Sequence, residues 1–132
     1  MDRALEHARS WIAKAKNDLL NADNNLASKQ IPCDTVCFHC QQAAEKLLKA
    51  FLVLRGNEYP LTHNLFVILE EILKYDSSAD YLRESLAILN PYSVEVRYPG
   101  DAWMPSIEDT KEARQAAQEV LEWMQSKLER LF

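Results

Sequence analysis

The chain has 132 residues, a hydrophobic share of 48%, only two glycines and a formal net charge of −5. This length is enough for one domain with a real core, and a chain rich in Ala, Leu, Glu and Lys but poor in Gly is typical of helices without a sheet. The start lacks the continuous apolar region of a signal peptide. The sequence also contains no run of about 18 apolar residues, which is the length that a membrane-spanning helix needs. We therefore expect a single all-α domain over residues 1–132, in the cytoplasm and without membrane association.

The charges are unevenly distributed along the chain. Residues 1–56 hold eight Lys and Arg against six Asp and Glu, whereas residues 57–132 hold seven against fourteen. An anionic partner should therefore prefer surfaces built by the first half. Long duplex DNA is not an expected partner, because its binding relies on many contacts between basic residues and phosphates.

The first predicted helix covers residues 3–28, with Asp2 as its N-terminal cap. Its core-facing stripe has helical spacing and comprises Ala4, Ala8, Trp11, Ile12, Ala15, Leu19, Ala22 and Leu26. The outer side holds Arg3, His7, Arg9, Lys14 and Lys16. This outer side is interpreted either as a solvated face or as a phosphate-contacting one.

The second predicted helix, residues 35–55, should be the central element of the fold. It contains no Gly or Pro, Asp34 can cap it and Gly56 can end it. Its core stripe comprises Val36, Cys40, Ala43, Ala44, Leu47, Phe51 and Leu54. A second seam is predicted to meet another helix, from the same chain or from a second copy, and comprises Phe38, Gln42, Glu45, Lys49 and Leu52.

Three cysteines cluster at Cys33, Cys37 and Cys40, an odd number that does not suggest a disulfide framework. Together with His39 they raise the hypothesis of a zinc site. On a helix, however, His39 points about 100° away from Cys40, so the four groups do not converge. We expect reduced, inert thiols and no metal.

The third and fourth predicted helices cover residues 63–74 and 79–89, and Thr62 is the expected cap of the third. His63 at that start favours the neutral imidazole, which could act as a general base. Alternatively, its ring hydrogen-bonds a neighbouring loop and fixes the turn. His7 and His39 are interpreted as surface or seam residues.

The segment 91–105, PYSVEVRYPGDAWMP, is long for a loop in a helical bundle and contains three prolines. Such loops tend to be functional. Arg97 lies between Val96 and Tyr98, and a guanidinium beside tyrosines is suited to binding a phosphate and stacking on a base. The alternative is a structural ion pair with Glu95 or Asp101, or a stacked arginine that holds the loop shut.

The last predicted helix covers residues 106–130 and begins with Ser106, for which Asp109 would complete a capping box. Its core stripe comprises Ala113, Ala117, Val120, Leu121, Met124, Leu128 and Leu131. Its opposite side is lined with glutamates, which should repel phosphates.

Three segments, FHCQQAAEKLLKAFLVLRG, THNL and VEVRYPG, occur in this order on the predicted helices. Together they make the chain, from about Trp11 to Leu128, resemble the HEPN domain (higher eukaryotes and prokaryotes nucleotide-binding). The resemblance implies an up-and-down bundle of about five helices that pairs into a homodimer. It also implies a small nucleotidyltransferase partner, encoded alongside in a two-gene, toxin–antitoxin-like system.

Many HEPN proteins are metal-independent ribonucleases, in which an arginine is followed four to six residues later by a histidine. Arg97 matches the arginine, but residues 98–103 read YPGDAW and contain no histidine. We therefore expect a non-catalytic module, without cofactor, that binds a nucleotide or RNA. We expect Arg97, Tyr98 and Tyr92 to hold the phosphate and base of the ligand, with Lys46 or Lys49 supplying additional positive charge.

Two alternatives to this binding module stay open. One is an endoribonuclease in which His63 or His39 of a second subunit replaces the missing histidine, with Arg97 and His63 as the candidate catalytic residues. The other is a purely structural dimerisation module.

Overall fold

The computed structural model describes residues 2–93 and 104–132, and within them the chain forms five α-helices. These are α1 (Arg3–Leu26), α2 (Cys33–Leu54), α3 (Leu65–Leu73), α4 (Arg83–Leu89) and α5 (Ile107–Lys127). Short 3₁₀ turns at Ser77–Leu82, Asn90–Tyr92 and Glu129–Leu131 complete the described structure. The predicted all-α bundle of five helices is confirmed.

The helix ends follow local capping chemistry. Asp2 caps α1 by accepting from the backbone of Ala4 and Leu5 at 3.0 and 3.2 Å. Ser106 and Asp109 form the predicted capping box at the start of α5, with both hydrogen bonds at 3.0 Å. These side chains satisfy backbone N–H groups that have no partner within the helix.

Gly56 ends α2, as predicted, with a φ of 78° that L side chains rarely adopt. Its N–H donates to the carbonyl of Val53 at 3.0 Å, and the N–H of Asn57 donates to that of Leu52 at 3.1 Å. This pair of bonds is the Schellman motif, which satisfies the last carbonyls of a helix.

Two predicted caps are wrong. Helix α2 already begins at Cys33 after Pro32, with no side-chain cap, and Asp34 accepts only from the neighbouring N–H of Thr35. Helix α3 is capped by Asn64 rather than Thr62, because the Asn64 side chain accepts from the N–H of Phe66 at 3.0 Å. Thr62 and Asn64 are nearby residues with similar capping ability, whereas α2 begins two residues earlier than predicted and so passes Asp34 without using it as a cap.

Helix α2 lies at the centre and contacts all four other α-helices. The predicted stripes of α1 and α2 supply much of the core, although Leu54, Ala4, Trp11 and Leu26 stay partly exposed. Arg114 joins α5 to α1 through two bonds to the carboxylate of Asp23, at 2.7 and 3.2 Å. None of the described helices is long and apolar enough to cross a membrane.

Candidate functional site

A row of three polar residues lies along the middle of α2 at a spacing of four, so the side chains stack on one face. Gln41, Glu45 and Lys49 are only 0%, 4% and 6% exposed. Nζ of Lys49 lies 3.0 Å from Oε2 of Glu45, and Nε2 of Gln41 donates to Oε1 of Glu45 at 3.3 Å. Buried charges are costly unless they are paired and hydrogen-bonded, and this row meets both conditions.

His63 completes this row from the segment that precedes α3. Its Nδ1 lies 3.0 and 3.2 Å from the two carboxylate oxygens of Glu45, and its backbone carbonyl accepts from Nε2 of Gln41 at 3.1 Å. The partner of the ring is thus the central helix rather than a neighbouring loop. The segments QQAAEKLLKA and THNL, which are distant in sequence, meet at this point.

The two side chains of this pair differ sharply in exposure, because His63 is 69% exposed and Glu45 only 5%. An ionised carboxylate can only accept hydrogen bonds, so we assign a proton to Nδ1 of His63. In the neutral ring Nε2 is then an acceptor on a mostly exposed side chain. A histidine oriented in this way by a buried carboxylate has the geometry of a general base.

Aromatic rings from α1 and from the turn after α2 cover the buried ammonium of Lys49. Its Nζ lies 5.9 Å from the ring centroid of Trp11 and 5.4 Å from that of Tyr59, within cation–π range. The two rings meet edge to face at 5.5 Å, and Nε1 of Trp11 donates to Nε2 of His7 at 3.1 Å. Lys49 is therefore a structural element of the bundle.

A second ionic cluster joins α1 to α2. The carboxylate of Asp18, only 7% exposed as a residue, lies 2.8 Å from Nδ1 of His39 and 2.6 Å from Nζ of Lys46. His39 is thus a partner of α1, and its ring also contacts Phe38 edge to face at 5.4 Å. The side chain of Lys46 is 20% exposed, and its ammonium has two further N–H groups for another acceptor.

Two asparagines connect the start of α3 to the end of α4. Oδ1 of Asn90 accepts from the N–H of Leu65 at 2.9 Å, and Nδ2 of Asn90 donates to Oδ1 of Asn64 at 3.3 Å. The chain thus leaves α4 from a point fixed beside His63. The segment that contains Arg97 follows shortly after.

The predicted ligand residues have different outcomes. Arg97 and Tyr98 lie outside the described residues. Lys46 is placed beside Asp18 with spare donors, whereas Lys49 is buried in its ion pair and is not available to a ligand. Tyr92 is 7% exposed and its hydroxyl contacts the thiol of Cys37, so it too is not available for the predicted ligand contact. Burial raises the pKa of its phenol.

Most of the predicted seam on α2 is not available for contact with a second copy of the chain. Glu45, Lys49 and Leu52 are buried inside the chain, against α1, the turn after α2 and the core. Only Phe38 and Gln42 keep exposed surface for a second copy. The spacing indicated a second contact face, but most of that face is used within the same chain.

The cysteines are reduced thiols, with Cys37 and Cys40 buried and Cys33 partly buried. Burial raises the pKa of Cys37 to about 11 and that of Cys40 to about 12, so both stay protonated near neutrality. Across residues 2–93 and 104–132, no group of three or more His, Cys, Asp and Glu could hold a metal ion.

Neither carboxylate–histidine pair was predicted from the sequence, although each has a recognisable sequence signal. Asp18 falls on the apolar stripe of α1 between Ala15 and Ala22, a position at which a carboxylate needs a partner. Gln41 precedes Glu45 and Lys49 at a spacing of four. The partners could not be identified, because His39 and His63 approach from other elements.

The family model of the HEPN domain matches residues 8–128, which is most of the chain. The chain therefore belongs to the HEPN family.

Among solved structures, TT1696 from Thermus thermophilus is similar, with 27% sequence identity and a TM-score of 0.79 over 92% of this chain and 98% of that one. The archaeal HEPN homologue ST0689 shares the fold, with 23% identity and a TM-score of 0.69 over 97% of this chain and 99% of that one. No curated protein matches the chain significantly.

Proposed function

We propose that the protein is a HEPN module that binds a nucleotide or RNA without cleaving it. It acts as a homodimer beside a small nucleotidyltransferase in a two-gene, toxin–antitoxin-like system. The observation that carries the proposal is Arg97 followed by YPGDAW, because the arginine suited to a phosphate is present and the histidine expected after it is not. Asp101 is a weak replacement, since an ordinary carboxylate has little basicity near neutrality and repels RNA.

The described structure supports binding in two ways. The asparagine pair Asn64–Asn90 fixes the end of α4, so the segment that contains Arg97 starts from an anchored point. The positively charged half of the chain supplies Lys46, whose ammonium has free donors after its bond to Asp18. Residues 1–56, which contain the first two helices, hold more basic than acidic residues and therefore favour an anionic ligand near Lys46.

Arg97→Ala tests this proposal. Affinity for AMP, ATP or a short single-stranded RNA, measured by calorimetry, should fall about ten- to a hundredfold, the scale of a lost charge-assisted hydrogen bond. Arg97→Lys should recover only part, because an ammonium lacks the bidentate guanidinium. Arg83→Ala is the control, since Arg83 is an exposed arginine paired with Asp80 and Glu70.

Two outcomes would contradict binding at Arg97. If none of the three ligands binds the parent or raises its melting temperature, the structural dimerisation module becomes the better explanation. If Arg97→Ala and Arg83→Ala weaken binding equally, the ligand is attracted by positive charge in general and not by a specific contact with Arg97. The nucleotidyltransferase partner is tested separately by co-purification with the product of the adjacent reading frame, and failure to co-purify leaves nucleotide binding unaffected.

An endoribonuclease is the second candidate, and the Glu45–His63 pair favours it. His63 has a buried carboxylate at Nδ1 and a mostly exposed ring, which is what proton abstraction from a 2′-hydroxyl needs. Cleavage of single-stranded RNA in excess chelator should then disappear in His63→Gln. His39→Gln examines the second histidine–carboxylate pair, and His7→Gln is the control. No cleavage by the parent protein rules this candidate out.

A further inference from the structure

A groove at one end of the bundle shares no residue with the Glu45–His63 pair or the Asp18 cluster. It lies between the start of α1, the end of α2 and the turn that follows α5. Its volume is about 490 Å³, within the range of about 300 to 1,000 Å³ that small-molecule sites occupy. The lining residues are Asp2, Leu5, Arg9, Leu54, Arg55, Leu128 and Leu131.

The apolar part of the groove comes from three elements. Leu5, Leu54, Leu128 and Leu131 are all half-buried, so each keeps some apolar surface on the groove side. Leucine side chains offer neither donors nor acceptors. A body that contacts them gains most if it is itself apolar, at roughly 25 cal/mol per Å² removed from water.

The charged part is formed by Arg9 and Arg55. Within the part of the chain that the structure describes, neither forms an ion pair, whereas Arg83 and Arg114 are both paired with carboxylates. The guanidinium of Arg55 packs over the rings of Phe51 and Tyr75, each at 5.7 Å, which restricts its movement. Arg55 is thus held in place by stacking, and no described residue accepts a hydrogen bond from its guanidinium.

One carboxylate, that of Asp2, also lines the groove. It is the N-terminal cap of α1 and accepts from Ala4 and Leu5. Two guanidiniums against this single carboxylate leave the lining positive, in a chain whose net charge is −5. The groove therefore combines an apolar surface with a local excess of positive charge.

We propose that this groove binds a small amphipathic anion, with a carboxylate or phosphate head held by Arg9 and Arg55 and an apolar body against the leucines. Both heads match a guanidinium, which binds planar or tetrahedral oxyanions through parallel N–H donors. A nucleotide fits less well, because the leucines provide no partner for the polar edges of a base. This ligand class is independent of the nucleotide or RNA proposed above.

Calorimetry with four probes tests the proposal. Decanoate and decyl phosphate combine both parts of the ligand, whereas decanol and inorganic phosphate each supply one. The amphipathic anions should bind at least about tenfold more tightly than either half, since the charged and apolar contacts add. The tighter of the two anions identifies the preferred head.

Arg9→Gln and Arg55→Gln should each weaken binding of the preferred anion by about tenfold. Arg3→Gln is the matched control, because Arg3 is an exposed arginine of the same helix that does not line the groove. Leu5→Ser should weaken the binding of decanoate but not that of inorganic phosphate. Melting temperatures establish that each variant is folded. Because Arg9 is exposed, Arg9→Gln is the substitution that should disturb the fold least.

Three results would overturn the proposal. One is equal affinity for decanol and decanoate, which would mean that the arginines contribute nothing. Another is unchanged binding in both Arg9→Gln and Arg55→Gln. The third is AMP binding that is lost in Arg55→Gln while decanoate and decyl phosphate do not bind, which would instead place a nucleotide in the groove.

Discussion

Nδ1 of His63 lies 3.0 Å from Oε1 of Glu45, so a largely exposed histidine is bonded to a carboxylate from the middle of the central helix. The same carboxylate is bonded to the buried ammonium of Lys49. Glu45 therefore links a structural pair in the interior to a side chain at the surface. A change at Glu45 should affect stability first, whereas a change at His63 should mainly affect whatever the surface binds.

Glu45→Gln should lower the free energy of unfolding by about 3 to 5 kcal/mol, because it leaves the ammonium of Lys49 buried without a counter-charge. Urea denaturation measures the loss. Glu71→Gln is the control, since Glu71 pairs with Lys74 at a more exposed position and should cost less than about 1 kcal/mol. The double variant Glu45→Gln/Lys49→Met should recover part of the stability. Equal effects of Glu45→Gln and Glu71→Gln would show that the buried pair has no special weight.

Light scattering at micromolar concentration should give about twice the chain mass of 15.2 kDa, as expected for a homodimer. Phe38 and Gln42 keep exposed surface on α2, so Phe38→Glu should shift the protein towards the monomer. Leu61→Glu is the control, because Leu61 is 96% exposed but lies outside the predicted seam. If the unmodified protein is a monomer, or if Phe38→Glu and Leu61→Glu dissociate the dimer equally, a dimer contact through Phe38 is excluded.

Thiol reactivity should distinguish Cys33 from the two buried cysteines. With a pKa of about 11, Cys37 has about one thiolate in a thousand near pH 8, and Cys40 has still fewer. A disulfide reagent should therefore modify one thiol quickly in the native protein and all three in denaturant. The variant Cys33→Ala should lack the fast phase. Two or three fast thiols in the folded parent would contradict the burial of Cys37 and Cys40.

The buried thiols of Cys37 and Cys40 should make the protein less stable at alkaline pH. A thiol in the unfolded chain has a pKa of about 8.5, so above that value the unfolded state releases protons that the folded state keeps. The stabilising contribution is complete below about pH 8.5. It is lost as the pH rises towards the folded values of about 11 for Cys37 and about 12 for Cys40.

Each thiol should lower the free energy of unfolding by about 1.4 kcal/mol per pH unit in this range. Urea denaturation between pH 8.5 and 10 measures the slope before most tyrosines titrate. Cys40→Ala should reduce it by about half, whereas Cys33→Ala should not. A slope that is unchanged in Cys40→Ala would assign the alkaline effect to other groups.

The helices were predictable because their signals are local. Apolar spacing, Gly56 and the pair Ser106–Asp109 each act within a few residues, and all three were identified correctly. The roles of Tyr92 and Lys49 were not predicted correctly, because the sequence alone does not distinguish a buried tyrosine or lysine from an exposed one. Whether such a side chain is free depends on which element packs over it, here Cys37 for Tyr92 and the rings of Trp11 and Tyr59 for Lys49.

Helix α2 contacts every other α-helix of the described chain, and most of its residues from 36 to 53 are buried. Its backbone amides can exchange with solvent only when the surrounding helices separate. Helices α3 and α4 are short, so their amides can open while α1, α2 and α5 stay packed. Slow hydrogen exchange should therefore mark α2 as the last element to open, and the attachment of His63 to Glu45 should break before the core that holds Glu45 does.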